Sequence, residues 1–90
     1  MNLKKAEILF EEGKINEALE AIRNLWTDDV QNADLYLLRA KCNIKVQNWG
    51  NALNDLNVLL ELDPENKIAG NYKAMVMDII RFWNKDNFNP

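Results

Sequence analysis

Apolar residues recur at three- and four-residue steps along most of this chain, which is the pattern of amphipathic helices. The pattern predicts five helices, at about 3–12, 15 or 16 to 26, 33–46, 49–62 and 67–83. No segment alternates between apolar and polar residues over the length of a strand. The sequence therefore predicts an all-α fold in a single domain, since no proline- or serine-rich linker divides it.

Glycine, proline and asparagine mark the ends of these predicted helices. Gly13 is expected to end the first, because glycine adopts the left-handed conformation of many helix C-termini without steric cost. Pro64 ends the fourth at Asp63, since proline disfavours helix in the residue before it. The candidate N-terminal caps are Asn2, Asn32 or Asp34, Asn48 and Asn66. The tail 84–90 is predicted to be frayed.

The third predicted helix carries apolar residues on more than one side, so it should be the most enclosed of the five. It contains the single cysteine of the chain, Cys42. No histidine is present to form a nucleophilic pair with that thiol. Cys42 is therefore interpreted as a small core residue.

Small residues return at one fixed interval along the chain. The pair Ala18-Leu19 recurs as Ala52-Leu53 (52 − 18 = 34), and the same offset relates three further alanines, Ala6, Ala40 and Ala74. Each of those three follows a basic residue. A small residue in mid-helix lets a neighbouring helix approach closely. A two-helix unit of about 34 residues cannot bury its own apolar face, so such units stack.

Residues 33–66 resemble a tetratricopeptide repeat. The matching positions are Tyr36 (first aromatic), Ala40 (small residue of the first helix), Trp49 (aromatic at the turn), Ala52-Leu53 (small-residue site of the second helix) and the ending Leu-Asp-Pro-Glu-Asn at 62–66. Residues 13–19 resemble the turn of a preceding repeat, whereas Gln47 stands where the family usually has glycine. The resemblance implies antiparallel helix-turn-helix repeats forming a short right-handed α-solenoid, with repeat one at about 1–32, repeat two at 33–66 and a C-terminal capping helix at about 67–83.

The resemblance also implies a function, because tetratricopeptide stacks bind peptides on the concave side lined by the first helix of each repeat. The candidate groove residues are Leu3, Glu7, Phe10, Leu37, Leu38, Lys41, Ile44, Lys45, Tyr72, Met75 and Ile79, with Glu11, Asp34, Ile68 and Asn71 on the same face. Many are apolar, which suits a hydrophobic peptide or an amphipathic helix. Lys41 and Lys45 are expected to orient an acidic flank of that partner.

Composition excludes several other classes of protein. The apolar fraction of 48% disfavours disorder, and a net charge of −3 provides no basic field for nucleic acid. The apolar runs are far shorter than the roughly 20 residues of a membrane span. The single cysteine and the absence of a secretory signal predict a cytoplasmic protein.

Candidate catalytic chemistry is sparse in this sequence. The lack of histidine removes the commonest nitrogen ligand of a metal site, and the three glycines are too far apart for a phosphate-binding loop. We therefore expect no enzyme activity, metal or cofactor. The principal hypothesis is a protein-interaction module, and the alternative is a self-associating scaffold subunit. In that alternative, the C-terminal helix packs against another copy through Phe82, Trp83 and Phe88.

Overall fold

The computed structural model describes the backbone of residues 2–88 and the side chains of residues 2–83. This part of the chain contains five helices: α1 (Lys4–Glu11), α2 (Ile15–Leu25), α3 (Ala33–Lys45), α4 (Trp49–Leu62) and α5 (Lys67–Phe88). No strand occurs in it, so the predicted all-α fold is confirmed. None of these helices combines the length and the apolar character needed to cross a membrane.

The observed helix bounds follow the predicted ones closely, with one exception. α4 begins and ends where predicted, and it stops before Pro64. α5 instead continues past Trp83 to Phe88, through most of the segment predicted to be a frayed tail. Residues 84–87 carry no proline or glycine that would break the helix, which is consistent with this extension. Residues 89–90 of the predicted tail lie outside the described backbone.

α1 and α3 end in the same hydrogen-bonded turn, 34 positions apart. Gly13 has a φ of +79° and Gln47 a φ of +61°, both in the left-handed region. The amide of Lys14 donates to the Leu9 carbonyl, and the amide of Asn48 donates to the Asn43 carbonyl. Together with the amide bonds of Gly13 and Gln47 to residues three positions earlier, this is the Schellman motif. The predicted stop at Gly13 is confirmed.

Side-chain caps are present at some of the predicted positions. The Asn32 side chain accepts a hydrogen bond from the Leu35 amide at 3.2 Å, so Asn32 rather than Asp34 caps α3. The Asn66 side chain accepts from the Ala69 amide at 2.9 Å at the start of α5. Asn48 occupies the N-cap position of α4, as predicted, but its side chain makes no cap bond. Its carbonyl instead accepts the first backbone bond of α4, from Ala52.

Each helix packs mainly against its neighbours in the chain, and the apolar side chains form two core clusters. The first cluster joins α1, α2 and α3 and has the buried members Leu3, Ala6, Ala18, Ile22, Val30, Leu35, Leu38 and Cys42. The second joins α3, α4 and α5 and has the buried members Ala40, Ala52, Leu56, Leu59, Ala69 and Val76. α3 contributes to both clusters, which agrees with the prediction that it is the most enclosed helix.

The two clusters are related by the offset seen in the sequence. Leu35 and Cys42 of α3 lie in the first cluster, and their counterparts 34 positions later, Ala69 and Val76 of α5, lie in the second. Ala6 packs in the first cluster and Ala40 in the second. Ala74, the next member of that series, is exposed. No further helix of the described chain follows α5 to cover it.

Candidate functional site

A groove of about 330 Å³ lies between α1 and α3. Seven residues line this α1–α3 groove: Glu7, Phe10, Glu11, Asp34, Leu37, Leu38 and Lys41. All seven were placed on one face by the repeat pattern, and they follow helical spacing. On α1 they are separated by three and one, and on α3 by three, one and three, so each set forms a stripe along its helix.

The floor of the α1–α3 groove is apolar, and its rim is charged. Leu38 is only 4% exposed and belongs to the first core cluster, while Phe10 and Leu37 are half-buried. Because Leu38 is a core residue, a charge placed there would unfold the chain rather than test the groove. The carboxylates of Glu7, Glu11 and Asp34 stand at the rim, on exposed residues.

Lys41 is held at the aromatic residue of the groove. Its Nζ lies 5.0 Å from the centroid of the Phe10 ring, within the range of a cation–π interaction. Among the described side chains, it forms no ion pair with Glu7, Glu11 or Asp34. The three carboxylates of the rim are therefore not neutralised by direct contact with a cation of the described side chains.

The remaining predicted groove residues do not line this cavity. Leu3 is buried in the first core, while Ile44 and Tyr72 are half-buried and pack against the second. Lys45 is exposed at the end of α3. Met75 is 39% exposed on α5, and Ile79 is half-buried. The structure thus brings together five of the predicted positions, Glu7, Phe10, Leu37, Leu38 and Lys41, and disperses the other six.

α5 presents a second apolar surface. Ile68, Met75 and Phe82 recur every seven residues and are 59%, 39% and 63% exposed. A seven-residue repeat keeps side chains on one side of a helix, so these three form a stripe. Trp83, which is 55% exposed, lies beside the stripe. The side chain of Phe88, named with these aromatics in the self-association hypothesis, lies outside the described side chains.

A larger cleft, of about 530 Å³, lies on α2, α3 and α4. We call it the α2–α4 cleft, and its lining residues are Leu19, Arg23, Trp26, Arg39, Asn43, Asn51, Asn54 and Asp55. The sequence pattern did not predict it. One signal for it was available: Asp55 lies between Ala52 and Leu56 on the apolar side of α4, where a carboxylate needs a buried partner.

Arg39 organises the polar contacts of the α2–α4 cleft. Its guanidinium donates two hydrogen bonds to the carboxylate of Asp55, at 2.9 Å from Nε and 2.7 Å from Nη2. The same guanidinium stacks over the Trp26 ring, 3.4 Å from its centroid, and Asn43 Nδ2 donates to Asp55 at 3.4 Å. Trp26 also meets Tyr36 edge to face, at 4.9 Å between centroids. These groups satisfy one another and connect α2, α3 and α4.

Cys42 has the environment of a structural thiol. It is fully buried, and this desolvation raises its pKa to about 11, although the nearby charge of Lys41 acts in the opposite direction. The side chain therefore stays protonated at neutral pH, a state that is a poor nucleophile. No group of three or more histidine, cysteine, aspartate or glutamate residues is arranged to hold a metal ion within the described residues.

Comparison with known proteins finds a solved structure that is similar to this chain over nearly its whole length. No protein-family model matches it, and no curated protein matches it significantly. The solution NMR structure of Bacteroides fragilis protein BF1650 is 36% identical and aligns over 98% of this chain and 89% of that one, with a TM-score of 0.76. Identity and coverage at this level show common descent as well as a common fold. The chain belongs to the same family as Bacteroides fragilis protein BF1650.

Proposed function

We propose that this chain is a small tetratricopeptide-type repeat domain that binds a peptide or an amphipathic helix, without catalysis, in the α1–α3 groove. The observation that carries the proposal is a cavity with an apolar floor, formed by Phe10, Leu37 and Leu38, beneath a charged rim. Apolar burial supplies affinity in such grooves, and polar groups at the rim fix the orientation of the ligand.

The 34-residue relation between the two cores supports assignment to this repeat type. So do the matching turns at Gly13 and Gln47, since a repeated turn gives successive units the same geometry. The buried free thiol of Cys42 suits the reducing cytoplasm, which we propose as the location.

The α1–α3 groove is a better candidate than the larger α2–α4 cleft. In the cleft, the guanidinium of Arg39 is already bound to Asp55 and covers the face of Trp26. A ligand could use the charge of Arg39 or the covered face of Trp26 only by breaking those contacts. The groove instead offers a half-buried aromatic and a half-buried leucine, together with carboxylates that have no ion-pair partner among the described side chains.

The test is to pan the protein against a displayed library of peptides of about 12 residues, enough for roughly three helical turns. The selected peptides are then titrated into isotope-labelled protein. We expect the largest amide shifts at Phe10, Leu37 and Lys41. We also expect Leu37→Ser to weaken binding about tenfold, since a leucine side chain buried against a ligand contributes about 1.5 kcal/mol or more.

Leu62→Ser is the matched control, because Leu62 is 39% exposed at the end of α4 and outside the groove. It should leave the affinity unchanged. Largest shifts on α2 and α4, or equal losses in the Leu37 and Leu62 variants, would refute the groove assignment.

The exposed stripe Ile68, Met75 and Phe82 on α5 favours self-association as a second candidate function. In an antiparallel pair of α5 helices centred on Met75, Ile68 of one copy meets Phe82 of the other, so the surface is self-complementary. Sedimentation equilibrium should then show a dimer that Met75→Glu dissociates. A monomer at high micromolar concentration would eliminate this candidate.

A further inference from the structure

Resting on the proposed peptide-binding function, we infer that the α1–α3 groove selects a cationic segment. Its preferred ligand carries a lysine or arginine side chain next to an apolar residue. The basic group lies among the carboxylates of Glu7, Glu11 and Asp34, and the apolar neighbour packs on Phe10 and Leu37. This reverses the expectation from the sequence that Lys41 and Lys45 orient an acidic partner.

Charge complementarity is the first argument for a cation. Three carboxylates and one ammonium line the groove, so the formal charge of the cavity is −2 (1 − 3 = −2). The net charge of the whole chain is also negative, at −3. A concave surface of one sign attracts ligands of the other and raises their association rate.

The pairing pattern is the second argument. The described ion pairs place Glu12 with Lys14, Glu20 with Arg23, Asp55 with Arg39 and Asp78 with Arg81. Each of these other carboxylates has a protein cation within 4 Å. The three carboxylates of the groove rim have no such pair within the described residues, although Lys41 lies in the same cavity. The exposed carboxylates of Glu17, Asp28, Asp29, Glu61, Asp63 and Glu65 also have none, so the rim carboxylates are distinguished by lining one cavity together. A basic ligand would supply that missing charge.

The position of Lys41 shows how a cation is accommodated in this groove. Its ammonium lies 5.0 Å from the centroid of the Phe10 ring, so the cavity already holds one positive charge over an aromatic face. A lysine or arginine of the ligand would compete with Lys41 for the same ring. Lys41 therefore opposes the ligand, and its removal should strengthen binding.

The experiment uses two matched amphipathic peptides of about 12 residues. They share the same leucines and differ only in that one carries lysine, and the other glutamate, at its charged positions. Binding of each to the full chain is measured by isothermal titration calorimetry at low and high salt. We expect the lysine peptide to bind more tightly, with an advantage that shrinks at high salt because counterions screen the rim charges.

Variants of the rim carboxylates and of Lys41 test whether these residues cause the preference for the lysine peptide. Neutralising the rim with Glu7→Gln, Glu11→Gln and Asp34→Asn together should lower the affinity for the lysine peptide about tenfold, as three modest ion pairs would. Glu61→Gln, Asp63→Asn and Glu65→Gln together are the matched control, because these exposed carboxylates lie outside the groove. Lys41→Met should raise the affinity for the lysine peptide. If Lys41 instead orients an acidic partner, as the sequence suggested, Lys41→Met would lower the affinity for an acidic peptide.

The outcomes separate this inference from the proposed function. If both peptides bind equally and Leu37→Ser weakens both, the groove is the site but its charge preference is refuted. Tighter binding of the glutamate peptide, or a loss on Lys41→Met, also overturns the preference. If neither peptide binds, and the peptides selected from the library bind the Leu37→Ser variant as tightly as the original chain, the proposed function itself is refuted.

Discussion

Single residues determine where helices α1 and α3 end and the chain turns into the next helix. Gly13 and Gln47 occupy the same position in two units and have the same left-handed backbone conformation. Glycine accepts that conformation freely, whereas in glutamine the Cβ approaches the following carbonyl oxygen at a cost of about 1–2 kcal/mol. The surrounding Schellman hydrogen bonds hold Gln47 there, so the second turn is formed despite an unfavourable residue.

We therefore expect Gln47→Gly to raise the free energy of unfolding by about 0.5–1 kcal/mol, which is the relieved strain less the added entropy of the unfolded chain. Gly13→Ala should lower it by about 1 kcal/mol. A Cβ at Gly13 would meet no atom within 4 Å, so that cost is due to the backbone alone. Urea unfolding followed by circular dichroism measures both variants. A loss of stability in Gln47→Gly would show that the glutamine side chain makes a compensating contact.

At the scale of the elements, α3 is the helix through which the other parts of the fold are connected. Its side chains contribute to both cores, and its Arg39 bridges Trp26, at the end of α2, to Asp55 of α4. Such a pair is weak support for stability by itself, because burying two charges costs nearly as much as their attraction returns. Breaking it is costly, since the 6% exposed side chain of Asp55 would then be a buried carboxylate without a cation.

Arg39→Met should accordingly lower the free energy of unfolding by about 2–3 kcal/mol, less than for a fully buried pair because the Arg39 side chain is 33% exposed. The double variant Arg39→Met with Asp55→Leu should recover most of this loss, since it removes the unpaired charge. Arg23→Met is the control, because its ion pair with Glu20 is exposed and should contribute little. A double variant whose loss equals the sum of the two single losses would mean that Arg39 and Asp55 are not energetically coupled.

At the scale of the whole molecule, the last described helix has fewer packing neighbours than the internal helices. Each internal helix packs extensively against two neighbours, whereas α5 packs mainly against α4 among the described elements. The burial of the three alanines related by the 34-residue offset reflects this difference. Ala6 and Ala40 lie beneath the following helix, and Ala74 occupies the corresponding place on α5, where no described helix covers it.

Replacing these alanines with a larger residue should distinguish the buried position, Ala40, from the exposed one, Ala74. Ala40→Leu should lower the free energy of unfolding by about 1–3 kcal/mol, because the larger side chain has no space between α3 and α4. Ala74→Leu should change it by less than about 0.5 kcal/mol, as surface substitutions usually do. Thermal unfolding at two protein concentrations measures both. A large, concentration-dependent effect of Ala74→Leu would indicate that a second copy covers this face.

Much of this structure was predictable from short-range patterns. The bounds of α1 to α4, the turn at Gly13, the stop before Pro64 and the caps at Asn32 and Asn66 follow from interactions within a few residues. The periodic alanines likewise predicted that two-helix units of about 34 residues stack on one another. The groove was predicted only in part. The resemblance indicates which face of each helix lines the concave side, but it does not show which side chains on that face are buried in the two cores. Leu3 was expected in the groove and is a core residue, whereas Leu38 belongs to the core and also forms part of the groove floor.

The sequence by itself determined the five helices, most of their ends and the 34-residue interval, since propensity, capping and periodicity act along the chain. Only the tertiary structure decided which faces are covered and which charges are paired. Asp55 is neutralised by Arg39, which lies 16 positions away in the sequence, whereas Glu7, Glu11 and Asp34 face one cavity without an ion pair in the described part of the chain. Burial and charge pairing depend on partners brought together by packing, and one helix read alone does not contain those partners.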